Sequence, residues 1–293
     1  FLSFSSIILL TGYSGQVSLG HGALMALGAY AAAVLRIEYN LPIILCFVVA
    51  VLAAAIGGAL LGAAAARLSG PYLAGTTLAL AIGLPSLANQ FSVLGGEQGL
   101  IFDVGFPPLS LGEDFTQYKW FFWIAALAAL LSTWTVRNVL NSRYGRSWRA
   151  GRGHEVAAQL AGINTARSKV LAFTISAGIA GLAGALLAMT IGTVSPSAFP
   201  LSLSFAVLTG AVLAGITTLG GVILGAFVLV IIPEIADVIA HRLGTSESVT
   251  TNLPGLIVSG LLILTVLFVP NGPVEQHRAR KAKHEALLGS KHK

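Results

Sequence analysis

Residues 42–66 form one run without a charged side chain. A helix of that length, at ~1.5 Å of rise per residue, exceeds the ~30 Å hydrocarbon core of a bilayer. Further apolar runs lie at 72–94, 118–139, 169–191, 222–240 and 254–269, with shorter ones at 1–11, 23–36 and 203–216. Inside hydrocarbon every backbone polar group must be satisfied by the protein itself, which admits helices and closed barrels only. Barrel strands alternate in hydropathy over ~10 residues, and these continuous runs do not. The chain therefore reads as all-α, a polytopic transmembrane helical bundle of about 8–9 spans. One transmembrane domain over 1–269 and a basic tail over 270–293 are expected.

Only 10% of the residues are charged, and mean hydropathy is +0.84. Soluble domains carry roughly 25% charged residues, so this chain cannot clothe a water-facing surface. Its 34 glycines suit helices that approach closely in a membrane. The pairs Gly58/Gly62 and Gly221/Gly225, and the series Gly178, Gly181, Gly184, have the spacing for such packing. The single cysteine, Cys46, excludes a disulfide framework within one chain and reads as a small buried hydrophobe.

The formal net charge of +6 could suggest a nucleic-acid partner, but its distribution points to a membrane. Seven Lys/Arg fall between Arg137 and Lys169, opposed only by Glu155, and six more follow Pro270. The loop 95–118 carries four acids, Glu97, Asp103, Glu113 and Asp114. Lys/Arg excess in short loops marks the cytoplasmic side. The loop 140–168 and the C-terminus are therefore expected in the cytoplasm and 95–118 outside, with Arg67 on the inner side. Phe1 is not an initiator methionine and the chain opens inside an apolar run, so an N-terminal piece is expected upstream.

Enzyme chemistry finds little support. His154-Glu155 begins like H-E-x-x-H, but Ala158 stands where the second histidine belongs, and no G-x-x-x-x-G-K-[ST] phosphate loop exists. Gly12-Tyr13-Ser14-Gly15 misses the G-x-S-x-G nucleophile pattern. No metal site is expected. Glu234 and Asp237 follow Pro233 near the end of a span and read as solvated end residues.

Two segments stand apart. The first, GYSGQVSLGHG at 12–22, is poorly suited to an uninterrupted helix. Irregular backbone at membrane depth survives where protein buries it or where it lines a wet cavity, and broken helices offer their ends to charged substrate groups. A pathway-lining element and a plain cytoplasmic turn are both open, and His21 in either case reads first as a hydrogen-bonded structural residue. The second segment is the basic loop. Glu155 to Ala161 predicts at most two turns of helix, with Val156 and Leu160 at i, i+4 as a small apolar face and Gly162 as the residue that ends it. Glu155 in its first turn suits the helix dipole. Such a helix between basic arms fits a groove on a soluble partner or a bed of lipid headgroups.

Several ordered segments carry a family resemblance. GYSGQVSLGHGALMALGAYAAAVL, RLSGPYLAGTTLAL, GGEQGL, SRYGRSWRAGRGHEVAAQLAGINTARSKVLAFTISAGIAGLAGAL, LAGITTLGGVILGAFVLVIIPE and GLLILTVLFVPNG together resemble the LivM-type permeases of bacterial branched-chain amino acid ABC importers, in order over nearly all of 10–273. The resemblance implies an ABC importer permease fold with a broken helix near 12–22, in the bacterial inner membrane. It implies a LivH-type partner permease, two ATPase subunits that carry ATP and Mg, an extracytoplasmic binding protein, and no cofactor on this chain. Gly15, Gln16, Ser18, Gly20 and His21 then fall on the substrate pathway, and Glu155, Ala157, Ala158 and Gly162 on the ATPase-coupling helix. Two positions depart from the family pattern: Gly153 stands where Asp is frequent, and Ala161 is inserted before Gly162. Related permeases carry urea, amides or aromatic acids, so those substrates are the alternative. An ion-coupled secondary transporter and an intramembrane enzyme are the other open classes.

Overall fold

The computed structural model describes residues 1–68, 70–105, 107, 116–215 and scattered positions between 221 and 267. About half of the run expected at 222–240 and most of that at 254–269 lie outside the described residues, and Glu113, Asp114, Asp237 and the tail 270–293 lie wholly outside them. The chain divides into two compact units, Leu2–Phe205 and Ala206–Lys293, the latter with Phe1.

In the first unit, α1 (Leu2–Ile7) runs directly into a π-helical turn (Ile8–Tyr13). Then follow α2 (His21–Tyr39), α3 (Ile43–Ala65), α4 (Pro71–Gln90), α5 (Gln117–Asn141), α6 (Arg143–Gly153), α7 (Glu155–Leu160) and α8 (Thr165–Ile191), and α9 (Leu201–Ala214) begins there. Among the described residues α3, α5 and α8 are long and apolar enough to cross a membrane by length and composition. The helix break expected near 12–22 is present, since positions 14–20 are non-helical between the π turn and α2.

Every position of α3 is apolar, so it sorts its faces by size rather than polarity. Cys46, Ala50, Ala54, Gly58 and Gly62 repeat every fourth residue and are buried, while Ile44, Val48, Leu52, Ile56 and Leu60 repeat in the same way and are exposed. Small residues let backbones close together and large aliphatics face lipid. The small face meets α8. A Cβ on Gly62 would come within 2.7 Å of Val170 Cα, and one on Gly181 within 2.6 Å of the Ala50 carbonyl. Gly28 of α2 packs on the Gly181 backbone, and Gly184 on the Met25 carbonyl. The glycine spacings at 58/62 and 178–184 are thus packing seams around α8.

Where Gly62 meets Val170, the Arg67 end of α3 lies beside the start of α8. The other end of α8 leads into a small antiparallel ribbon between β1 (Leu100–Ile101) and β2 (Thr193–Val194), with Leu100 opposite Val194. The 27 residues of α8 span ~40 Å, so the ribbon and the basic region lie at opposite ends of this helix. Arg36 ties the end of α2 to the ribbon side, donating from Nε to the Asp103 carbonyl at 3.0 Å and from Nη1 to the Leu41 carbonyl at 2.7 Å.

The structure differs from expectation at the basic segment. The arm before Glu155 is a helix, α6, and α8 starts at Thr165 rather than at 169. Hydropathy misses the polar first turn of α8, which Asn164 caps by accepting from Arg167 N–H at 2.9 Å. In the second unit, α9 continues through buried Val207, Thr209 and Ala211, and Gly221 and Gly225 are both buried.

Candidate functional site

The basic region folds as a cap on the start of α8. Ser142 opens α6 by accepting from Tyr144 N–H at 3.2 Å. Trp148, almost wholly buried, donates its indole N–H to the Ser168 carbonyl at 2.8 Å and pins α6 to α8. His154 then begins α7, its Nδ1 accepting from Ala157 N–H at 3.2 Å. The end of α7 is a Schellman turn: Gly162 N–H donates to the Gln159 carbonyl at 2.9 Å, and Ile163 N–H to the Ala158 carbonyl at 3.0 Å. Gly162 carries φ +82° there, as the C′ position prefers, and the inserted Ala161 serves as the C-cap.

Two side-chain contacts hold α7 against α8. Lys169 Nζ lies 2.7 Å from Glu155 Oε1, and Gln159 Nε2 donates to Thr165 Oγ1 at 2.9 Å. Ala158 is buried on that side. Val156 and Leu160 point away, 59% and 86% exposed, with Ala157 and Gly162 exposed beside them. Of the four expected coupling residues, Ala157 and Gly162 are open to a partner, Glu155 is half-exposed in its pair with Lys169, and Ala158 faces inward.

The broken segment lies just above this cap. Hydroxyls from other helices satisfy peptides where the segment enters α2. Leu19 N–H donates to Thr77 Oγ1 of α4 at 2.9 Å, and Gly22 N–H to Ser204 Oγ of α9 at 2.9 Å. Gly20 fits because a Cβ would meet the Thr77 carbonyl at 2.5 Å. His21 is fully buried between two serines, with Nδ1 3.2 Å from Ser18 Oγ and Nε2 3.2 Å from Ser176 Oγ.

These bonds set a direction. Ser176 gives its hydroxyl proton to the Ser6 carbonyl at 2.8 Å, so its oxygen accepts from His21 Nε2–H. A neutral ring then accepts at Nδ1 from Ser18, whose oxygen accepts from Gly20 N–H at 3.3 Å. Ser18, Gly20 and His21 are therefore occupied in holding the break together. Gly15 and Val17 are exposed. Gln16 is buried; its Nε2 donates to Ser14 Oγ, while its Oε1 has no hydrogen-bond partner among the described residues.

A separate recess of about 440 Å³ lies between α2, α3 and α4, lined by Leu27, Tyr30, Leu84, Leu87, Phe91 and Leu94 among others. Its apolar walls offer nothing to the charged groups of an amino acid.

Comparison with known proteins gives a consistent picture. The family described as "Branched-chain amino acid transport system / permease component" matches residues 5–267. The chain is 32% identical to the high-affinity branched-chain amino acid transport system permease protein LivM of Escherichia coli K12, over 96% of this chain and 69% of that protein. It is 32% identical to LivM of Salmonella typhimurium, over 90% of this chain and 65% of that protein. It is 29% identical to the corresponding LivH of Escherichia coli K12, over 65% of this chain and 54% of that protein. No solved structure shows a significant match.

Proposed function

The chain belongs to the branched-chain amino acid transport system permease family and is a multi-pass membrane transport component, and from that premise we propose that it forms half of the translocation pathway of an ATP-driven importer of leucine, isoleucine and valine. A LivH-type permease supplies the other half, two cytoplasmic ATPases carry ATP and Mg, and an extracytoplasmic binding protein delivers substrate. The assembly sits in the bacterial inner membrane with the α6–α7 cap in the cytoplasm.

The observation that carries this reading is α7. Its capped, pinned geometry leaves Val156 and Leu160 as a bare apolar face beside Ala157 and Gly162, bordered by the arginines of α6. A helix of this form presents its apolar anchors to a groove. The docked ATPase displaces α7, the glycine seams pass the movement along α8, and the turn at 14–20 shifts at the cytoplasmic mouth. Gly15 and Gln16 border the pathway, while Ser18, Gly20 and His21 shape it.

Substrate discrimination in such a pathway is modest, because one methylene in an apolar site is worth ~1–3 kcal/mol. Selection among the three side chains falls mainly to the binding protein. The acidic side chains among the described residues are exposed or half-exposed, so that part of the chain offers an ion-coupled mechanism no buried carboxylate.

Leu160→Asp is the direct test. It should abolish co-purification of the ATPases and ATP-dependent leucine uptake, with the permease still inserted and stable. ATPases that stay bound to this variant would refute the docking role of α7. A helix resting on headgroups would show weaker vesicle binding of the cap with normal ATPase retention.

A further inference from the structure

We propose that Arg152 is the positioning residue that joins the α6–α7 cap to the broken-helix turn, so that displacement of α7 reaches the turn directly as well as through α8. The inference rests on α7 being the docking helix.

Arg152 Nη1 donates to the Gly12 carbonyl, across 140 positions of sequence. Gly12 lies at the end of the π turn that continues α1, where carbonyls lack helical partners and where a cation is favoured. A second feature of the same contact is independent of that bond. Gly15 carries φ +74°, and a Cβ there would stand 2.9 Å from Arg152 Cγ and 3.3 Å from Arg152 Cβ. The turn is therefore seated on the stem of Arg152 as well as bonded to its head.

The position of Arg152 in the cap matters as much. It stands in the last turn of α6, immediately before Gly153 and the His154 cap of α7. Trp148 and Lys169 tie the cap to α8 and Arg152 ties it to the turn, so α7 has two grips. One leads to α8, which is locked by backbone-to-backbone glycine packing. The other leads through Arg152 to the turn, the irregular part of the fold, where the Gln16 side-chain oxygen is buried without a partner among the described residues. A bond left unmade in one arrangement is available to another.

The test uses the assembled transporter in proteoliposomes and reads leucine taken up per ATP hydrolysed. Arg152→Ala should keep ATP hydrolysis near the unsubstituted rate while uptake per ATP falls roughly tenfold, within the usual range for coupling between sites. Arg146→Ala removes the same charge from the same helix, but Arg146 bonds the Asn141 carbonyl, and it should keep the ratio. A second variant, Arg152→Lys, keeps a cation and an aliphatic stem over Gly15 and should retain most of the coupling that Arg152→Ala loses.

An unchanged ratio in Arg152→Ala, or parallel loss of hydrolysis and uptake, would overturn the inference, as would an Arg152→Lys variant coupled no better than Arg152→Ala. An unsubstituted assembly without ATP-driven uptake of leucine, isoleucine or valine would overturn the functional reading and this inference with it.

Discussion

Glu155 and Lys169 form an ion pair, 2.7 Å between Oε1 and Nζ, that bridges α7 to the first turns of α8. With 41% of the Glu155 side chain and 19% of the Lys169 side chain exposed, the pair contributes only about 0.2–1 kcal/mol to stability. The pair also ties α7 to α8. Glu155→Lys sets two ammonium groups against each other and should reduce both uptake and stimulated ATP hydrolysis while insertion is normal. The exchange Glu155→Lys with Lys169→Glu should restore most of both. Failure of the exchange to restore them would mean that Glu155 acts on the ATPase rather than on Lys169.

The glycine seams predict a graded series. A methyl group at Gly184 would press on the Met25 carbonyl and one at Gly62 on the Val170 backbone, whereas Gly83 has nothing within 4 Å. Overpacking of a close contact costs ~1–3 kcal/mol. Gly184→Ala and Gly62→Ala should therefore lower the melting temperature of the detergent-solubilised protein, and Gly83→Ala should leave it unchanged or raise it slightly. Equal melting temperatures across the three would remove the seams from the account of stability.

The seams, the apolar runs and the end of α7 were legible in the residues because they depend on local spacing. Gly162 announces a C′ position by its type alone, and small residues at every fourth position of α3 announce a buried face. Other features arise between distant segments and leave no local period. The Arg-rich α6 lacks an apolar stripe, and Trp148 is buried by packing against distant segments, the start of α8 among them. His154 is an unusual N-cap. The partners of the break, Thr77, Ser176 and Ser204, are single hydroxyls in apolar helices, indistinguishable in sequence from Thr or Ser bonded to their own helix. The β1–β2 ribbon has two residues per strand, too few to show alternation.

Removal of His21 should reveal how far the break depends on its serines. His21→Ala leaves the Ser18 hydroxyl without its acceptor and opens a hollow beside Ser176, a loss of ~2–4 kcal/mol. Ser176→Ala removes the donor to the Ser6 carbonyl and the acceptor for Nε2, a loss of ~1–3 kcal/mol. Because both substitutions break the same chain of bonds, the double variant should be less destabilised than the sum of the two. Thermal melts that add fully would show that the imidazole and Ser176 act independently.

The placement of the ribbon and α7 at opposite ends of α8 gives the orientation an internal measure. Ile101 is 73% exposed in the ribbon and Leu160 86% exposed on α7, while the single native cysteine, Cys46, is buried. In a Cys46→Ser background, Ile101→Cys should react with a membrane-impermeant maleimide added to spheroplasts, and Leu160→Cys should react only in inverted vesicles stripped of the ATPases. The excess of arginine around α6 predicts this direction through the positive-inside rule, and the ~40 Å length of α8 predicts that the two sites never share a side. Labelling of both from one side would contradict the crossing of α8. Labelling of each from the opposite side to that expected would keep the fold and reverse the importer, placing α7 beyond the reach of any cytoplasmic ATPase.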